Sequence, residues 1–499
     1  MRAKFGLAIV LTASICANTN AAQSGTPLSS AFVTGSKTYT VGEFTPLIGP
    51  HIGEPVSRTL IDQICAEIQA LYRRDGYVEP TIIAPDSELS SSTPRLHIFE
   101  AQIAEIEIRG DPGPYFETIM AQAAALQSSS INRERSRRYL RSIAELPGLQ
   151  LRAAFEPRAG QPSSYVLVLN VTYQSVSASV SVHNRGTADL GRTIAGAQVS
   201  LNGLLGAQEA LTLTGAAAPG SGGYQYVGAR LERRFGGTQA TIDMANSRAE
   251  PEGNSNYSAQ LARLELKTTA FDDGATRVEP LLAIAARDSD GKDSQRDTFD
   301  TSRTRTLEAG IAVLRTTPAT RMSLWSTVTR GLDDFGAAAF TIYGAPPDLA
   351  FTKTAIEIGY VRSLSAKWQF RLDLDGQWSG NDLPAAERFT FGGSRFGRAF
   401  DPAELIGDSG AAVSVQVGRS QIWQDSWIRS VRMYVQADYG YARYNRSVFT
   451  EDAASITAGV SGRMSSMMTS FELSKPVDSP NEGTDPGSVR AFFYMQMGF

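Results

Sequence analysis

Few residues in this 499-residue chain are arranged to make or break bonds. His51, His97 and His183 lie far apart and lack the close spacing that lets side chains share a metal ion. The serines and histidines form no nucleophile–base spacing that reads as a catalytic triad, and no nucleotide-binding motif is apparent. The chemistry on offer is ion pairing. Residues 391–410 run Phe-Gly-Gly-Ser-Arg-Phe-Gly-Arg-Ala-Phe-Asp-Pro-Ala-Glu-Leu-Ile-Gly-Asp-Ser-Gly. Arg398 sits at the centre of this stretch. An arginine on a long Gly-rich loop needs an acidic partner or a solvated surface. The flanking elements decide which.

Residues 1–22 read as a secretory signal peptide. Arg2 and Lys4 give the positive end, Phe5 to Ala17 the mainly apolar run, and Thr19-Asn20-Ala21-Ala22 the small residues for cleavage. Ile15 before Cys16 argues against lipidation. The apolar run is shorter than the ~20 residues a membrane-spanning helix needs. Cleavage removes Cys16 and leaves Cys65 alone, so no intrachain disulfide is possible, and Cys65 reads as a buried helix residue. No later stretch is apolar enough for a transmembrane helix. A soluble exported protein or an outer-membrane barrel remains. With 45 Gly, 22 Phe and 17 Tyr, and a mean hydropathy of −0.18, the composition suits a barrel, whose strands are only half apolar. A net charge of −4 gives no sign of a nucleic-acid partner.

Residues 23–101 read as a small α+β domain. Phe32-Val33-Thr34 forms a strand ended by Gly35, and Glu43 to Ile48 a short helix. Leu60, Ile61, Ile64, Cys65, Ile68, Leu71 and Tyr72 recur at helical steps up to Asp75-Gly76. Tyr77 to Ala84 and Arg95 to Phe99 read as strands. The same order of elements returns in residues 102–174: a strand Ile103 to Ile108 stopping at Gly110, helices Tyr115 to Leu126 and after Asn132, and strands Leu149 to Phe155 and Tyr165 to Val171. Two units of about 70 residues are an internal repeat. The helix after Asn132 carries Arg133, Arg135, Arg137, Arg138 and Arg141. This run reads as a solvated face, or alternatively as a docking surface for a peptide or for acidic groups.

From 175 to 499 helical periodicity disappears. In 367–378, Trp368, Phe370, Leu372, Leu374 and Trp378 share one face, while Lys367, Gln369, Arg371, Asp373, Asp375 and Gln377 share the other. A polar face carrying both signs of charge suits a wet lumen, with the apolar face turned to lipid. Residues 431–441 and 489–499 repeat the pattern, and the chain ends on Phe499, on the apolar face of its last strand. Sixteen strands are expected, beginning near 177, 193, 208, 224, 238, 257, 276, 302, 320, 353, 367, 410, 430, 453, 466 and 488. An even count leaves both barrel ends in the periplasm. The 379–409 loop, after strand eleven, is then extracellular in origin.

These features together resemble the outer-membrane transporters of two-partner secretion (TpsB type), the haemolysin secretion/activation protein family. The resemblance implies two periplasmic POTRA domains, a sixteen-stranded barrel and a long loop folded back into the lumen. Gly392-Gly393…Gly397-Arg398-Ala399-Phe400 resembles the family's loop signature, with Gly397 where Val is usual and Ala399 where Gly is usual. Gly407-Asp408-Ser409-Gly410 resembles its following Gly-Asp-x-Gly. Ala437-Asp438-Tyr439-Gly440 resembles the motif of strand thirteen, and Asn184-Arg185-Gly186 the end of the first barrel strand. The resemblance implies a lumenal salt bridge between Arg398 and Asp438 that anchors the loop. Parity agrees, placing Asp438 on the polar face of its strand with Arg432 and Gln436. Residues 23–30 leave little room for the family's usual plug helix, so none is expected.

The resemblance further implies a pore that exports an unfolded exoprotein from the periplasm without nucleotide, cofactor or metal. Its partners would be that client, the outer-membrane lipid and, for its own insertion, the barrel-assembly machinery, with Phe499 as the barrel's C-terminal signal. The alternative from the same superfamily is a barrel-assembly insertase, which typically carries more POTRA units. A lumenal enzyme or passive porin is the third reading. It lacks a catalytic constellation and does not explain the two N-terminal units.

Overall fold

A computed structural model describes residues 26–127, 129–219, 223–251, 255–293, 298–340, 346–423, 427–446, 450–479 and 488–499. The signal segment lies outside the described residues. The chain divides into two compact units. The first holds 26–104 with 129–132 and 156–166, and the second 105–127, 133–155 and the described residues from 167 to 499.

In the first unit, Phe32–Thr34, Arg95–Phe99 and Thr81–Ile83 form a sheet in that spatial order, the first pair parallel and the second antiparallel. Val41–Ile48 and Arg58–Arg74 are helices. Ser57 caps the longer helix, its side chain accepting from Leu60 N–H. That helix buries Leu60, Ile61, Ile64, Ile68 and Tyr72 against Phe44, Leu96 and Ile98, with Cys65 packed at the margin. Burial pushes the Cys65 thiol up to about 11, as expected of a structural cysteine. The expected strand from Tyr77 to Ala84 is only Thr81–Ile83. Pro80 precedes it and offers no N–H to a ladder.

The polar centre of this unit is Glu100, which is 6% exposed. Its Oε1 accepts from Ser36 Oγ at 3.0 Å, Thr38 N at 2.9 Å and Tyr72 OH at 2.6 Å, and its Oε2 from Ser130 Oγ. A buried carboxylate is stable only when its oxygens are satisfied in this way.

The next sheet repeats the order, with the last strand in the middle: Gln102–Asp111, Ser164–Tyr173, Leu149–Pro157. The first of these does not stop at Gly110. Gly110 has φ +101°, and a Cβ there would lie 2.1 Å from the Val171 carbonyl oxygen, so glycine lets the strand continue. Helices Phe116–Gln127 and Arg133–Ala144 follow, the latter directly after Asn132.

The Arg-rich helix is not simply a solvated face. Arg141 pairs with Asp272 at 3.2 Å, Arg138 donates to the Asp272 carbonyl at 3.3 Å, and the adjoining Glu145 pairs with Arg234 at 2.6 Å and Arg277 at 2.8 Å. The acidic partner of Arg141 is therefore Asp272 of the chain itself, at the turn between the sixth and seventh barrel strands.

The rest is a closed antiparallel barrel of sixteen long strands, with two short added pieces, Phe271–Asp272 and Ala338–Phe340. The first barrel strand is Val176–His183 and the last Arg490–Gly498. They meet from Ser179↔Gly498 to His183↔Tyr494 and close the ring. The strand starts read from parity fall within a few residues of those observed, and Thr238, Thr276 and Thr320 coincide. Alternation explains the agreement, because it is set by the pleat. Met433, Val435, Tyr439 and Tyr441 point outward and are exposed, whereas Gln436 and Asp438 point inward and are buried.

Candidate functional site: the lumenal loop

Buried polar side chains in a wide barrel need a cover, and the 379–409 loop supplies it. It joins the eleventh strand, Trp368–Ser379, to the twelfth, Ser409–Ile422. Its middle is a two-stranded hairpin, Phe389–Phe391 with Leu405–Gly407. Phe389, Phe391, Phe396, Phe400 and Leu405 form one apolar cluster with Ala412, Ala442 and Ala453 of the wall. Burying a phenylalanine in this way contributes about 1.5–3 kcal/mol.

The motif glycines make the space. Gly440 of the thirteenth strand (Ile428–Arg443) faces Phe391, whose ring would lie 2.2 Å from an added Cβ. Gly410 does the same for Phe389, at 2.3 Å. Gly392 and Gly393 turn the tip at φ +116° and +104°, and Gly397, at φ +65°, clears Phe391. A side chain at any of the three would be strained. Phe400 is buried, and Ala399 is fully so.

Asp408, 1% exposed, closes the loop base by accepting from the N–H groups of Leu383 and Asn445, both at 2.8 Å.

Arg398 and Asp438 are brought together, but not as a guanidinium–carboxylate pair. Asp438 accepts the Arg398 backbone N–H at 3.3 Å, and also Gln436 Nε2 at 2.8 Å and Ser455 Oγ at 3.2 Å. The Arg398 guanidinium instead meets Glu472 at 2.5 Å and donates to Tyr434 OH at 3.1 Å. Two features favour this choice. The Asp438 oxygens are already occupied by three donors. Glu472, on the fifteenth strand (Met467–Asp478), is a buried acid that must balance Arg185 as well.

Tyr434 reaches Glu472 by lying across Gly459, where an added Cβ would stand 2.4 Å from its ring. Sequence reasoning missed Glu472. The signal was present: Phe471 and Leu473 alternate with Glu472 and Ser474, so the acid had to point inward.

Other ties surround the tip. Arg490 of the last strand pairs with Asp401 and donates to the Ala399 carbonyl at 2.9 Å. Arg395 pairs with Glu357 at 2.7 Å. Beside the seam, Asn184 extends the ladder with its side chain, donating to the Ala491 carbonyl at 3.0 Å and accepting Phe493 N–H at 2.8 Å. Phe499 exchanges two backbone hydrogen bonds with Ala178, and its side chain is exposed. Among the described residues no three His, Cys, Asp or Glu converge as a metal-ligand set.

Residues 293–462, which hold the whole loop and the Asp438 strand, match the model for haemolysin secretion/activation proteins ShlB/FhaC/HecB. Over that stretch the chain is similar to this family. It is 19% identical over 485 residues to the heme/hemopexin transporter protein HuxB of Haemophilus influenzae, covering 89% of this chain and 82% of that protein. With HuxB of another strain of that species it shares 21% identity over 175 residues, 34% of this chain and 31% of that protein. Its fold is that of CdiB from Escherichia coli, with TM-score 0.73, 18% identity and coverage of 97% and 93% of the two chains. CdiB from Acinetobacter baumannii gives 0.63 at 14% identity, covering 95% and 90%. A BamA structure from Haemophilus ducreyi gives 0.51 at 10% identity, covering 95% and 100%. These likenesses show the fold, a closed barrel of sixteen strands preceded by small α+β sheets.

Proposed function

We propose that this chain works as the haemolysin secretion/activation proteins do, exporting an unfolded partner protein from the periplasm to the cell surface through its barrel. The observation that carries the reading is a closed barrel whose lumen is filled on one side by a held loop and left polar on the other. The opposite wall borders a cavity of about 690 Å³ lined by Arg230, Glu232, Asp243, Arg263, Glu265 and Lys267. Mixed charges around water suit a passing polypeptide, because each exchanges hydration for another polar contact.

Residues 23–101 and 102–174 act as two POTRA domains, whose sheet edges offer an extended client a strand to pair with. The pore works without nucleotide, driven by client folding outside, and is not an enzyme. It faces outer-membrane lipid and is itself inserted by the barrel-assembly machinery, with Phe499 in the C-terminal signal. The loop motif Gly392, Gly393, Gly397, Arg398, Phe400, Asp408 and Gly410 seats the loop. Arg398 anchors it through Glu472 and, by its backbone, through Asp438. The insertase reading has a weaker basis, since the likeness to BamA is lower than that to CdiB.

Comparative surface proteomics of a strain lacking the chain tests the proposal. One large exoprotein disappears from the surface and returns with the wild-type gene. A joint loss of many outer-membrane barrels would make the protein an insertase.

A further inference from the structure

Besides the ties at its tip, the loop is held near its start by a buried acid that its motif does not include. Glu387, at the end of the turn Ala385–Glu387, is 2% exposed. Its carboxylate stands between two cations, Arg287 Nη1 at 2.5 Å and Lys353 Nζ at 2.9 Å. Its carbonyl also accepts from Lys353 Nζ at 2.9 Å and Gln377 Nε2 at 3.0 Å. Arg287 belongs to the seventh barrel strand (Thr276–Asp293), and Lys353 is the second residue of the tenth (Thr352–Ser363).

Arg398 is fixed to the fifteenth strand. In a closed ring of sixteen, the seventh and fifteenth strands are eight steps apart either way and stand on opposite walls. The eleven residues from Glu387 to Arg398 reach at most about 36–40 Å when extended, enough to bridge the walls.

We propose that the loop is a strap bolted to opposite walls, and that Glu387 is the positioning residue of the second bolt. The strap obstructs the lumen only while both bolts are engaged. Glu387 controls release at the outer mouth, where its loss leaves Arg287 and Lys353 facing one another without a counter-ion. This inference concerns the loop alone and holds whichever client the pore carries, so its failure is separate from failure of the export reading.

Single-channel recording of the full chain in planar lipid bilayers tests it. Glu387→Gln opens at least about tenfold more often than wild type, and combining it with Arg398→Ala opens the pore further than either change. Exchanging the charges, Glu387→Arg with Arg287→Glu, returns the recording towards wild type, which a merely disturbed loop would not do. Heat-modifiable gel mobility verifies that each barrel is folded. If Glu387→Gln does not insert, Lys353→Gln breaks the same bolt, and the same rise is expected. A folded Glu387→Gln or Lys353→Gln pore as quiet as wild type, or a charge exchange as open as the single variant, overturns the proposal.

Discussion

Glu472 stands between two arginines, with Arg398 of the loop at 2.5 Å from one oxygen and Arg185, just past the first barrel strand, on the other. One buried carboxylate therefore ties the loop tip to both sides of the barrel seam. Removing one partner of a buried ion cluster costs about 3–5 kcal/mol. Glu472→Ala is expected to raise hydrogen exchange across residues 389–407 by at least about a hundredfold. Asp438→Asn is expected to act less, because Asp438 meets Arg398 only through a peptide N–H and an amide oxygen still accepts it. Exchange measured on both variants in nanodiscs ranks them. A larger effect of Asp438→Asn would return the main anchor to Asp438.

Gly440→Ala forces a methyl group against the Phe391 ring. Overpacking of this kind costs about 1–3 kcal/mol. The variant is expected to loosen the loop, and Phe391→Leu in the same chain to restore part of its protection. Gly459→Ala acts one strand over, pushing Tyr434 away from Glu472. Protease accessibility of the loop reads all three.

Much of this arrangement was legible in the sequence, and what was missed has identifiable causes. Alternation fixed the strand positions because each inward residue meets water or the loop and each outward one meets lipid. The expected Arg398–Asp438 salt bridge is replaced by a backbone contact, Arg398 N–H to Asp438, while the guanidinium goes to Glu472. Parity puts Glu472 inside, but its role depends on Arg398 and Arg185, which are 74 and 287 residues away in the chain. Glu387 gave no local signal at all: its partners come from residues 287 and 353, remote in the chain, and only barrel closure brings them together. The Arg-rich helix was ambiguous for the same reason, since Asp272 is 131 residues from Arg141.

The first unit has stability limits on both sides of a pH window. Burial alone would raise the Glu100 pKa, but the donors from Ser130, Tyr72, Thr38 and Ser36 outweigh it and hold the carboxyl below its usual range. Its contribution is present above the unfolded carboxyl value of about 4.3 and is lost as pH falls through the lowered folded value. For His51, burial lowers the pKa, but hydrogen bonds to Glu54 and Glu67 outweigh it and leave it raised. Its contribution is present below about pH 6.5 and is lost as pH rises through the raised value. Protection factors from native-state exchange of residues 58–74 in the full chain, corrected for the intrinsic pH dependence of exchange, are expected to be largest between about pH 4.5 and 6.5. Glu100→Gln flattens the acid limb and His51→Gln the neutral one.

Glu145 meets Arg234 and Arg277 together. Glu145→Ala is expected to cost about 1–3 kcal/mol of the docking of the Arg133–Ala144 helix. Exchanging charges with Glu145→Arg and Arg277→Glu recovers part of it. Limited proteolysis at that helix is the measure.

The central claim is that a client crosses the lumen, and neighbouring residues on one strand test it most directly. Thr241 points inward and Ile242 outward on the fifth barrel strand, Thr238–Ala249. A photo-crosslinking residue is placed at each position in turn while export is under way. The account predicts that a secreted polypeptide is captured from position 241 and not from 242. Capture from 242 alone, or of nascent barrel proteins in place of a secreted one, would contradict it.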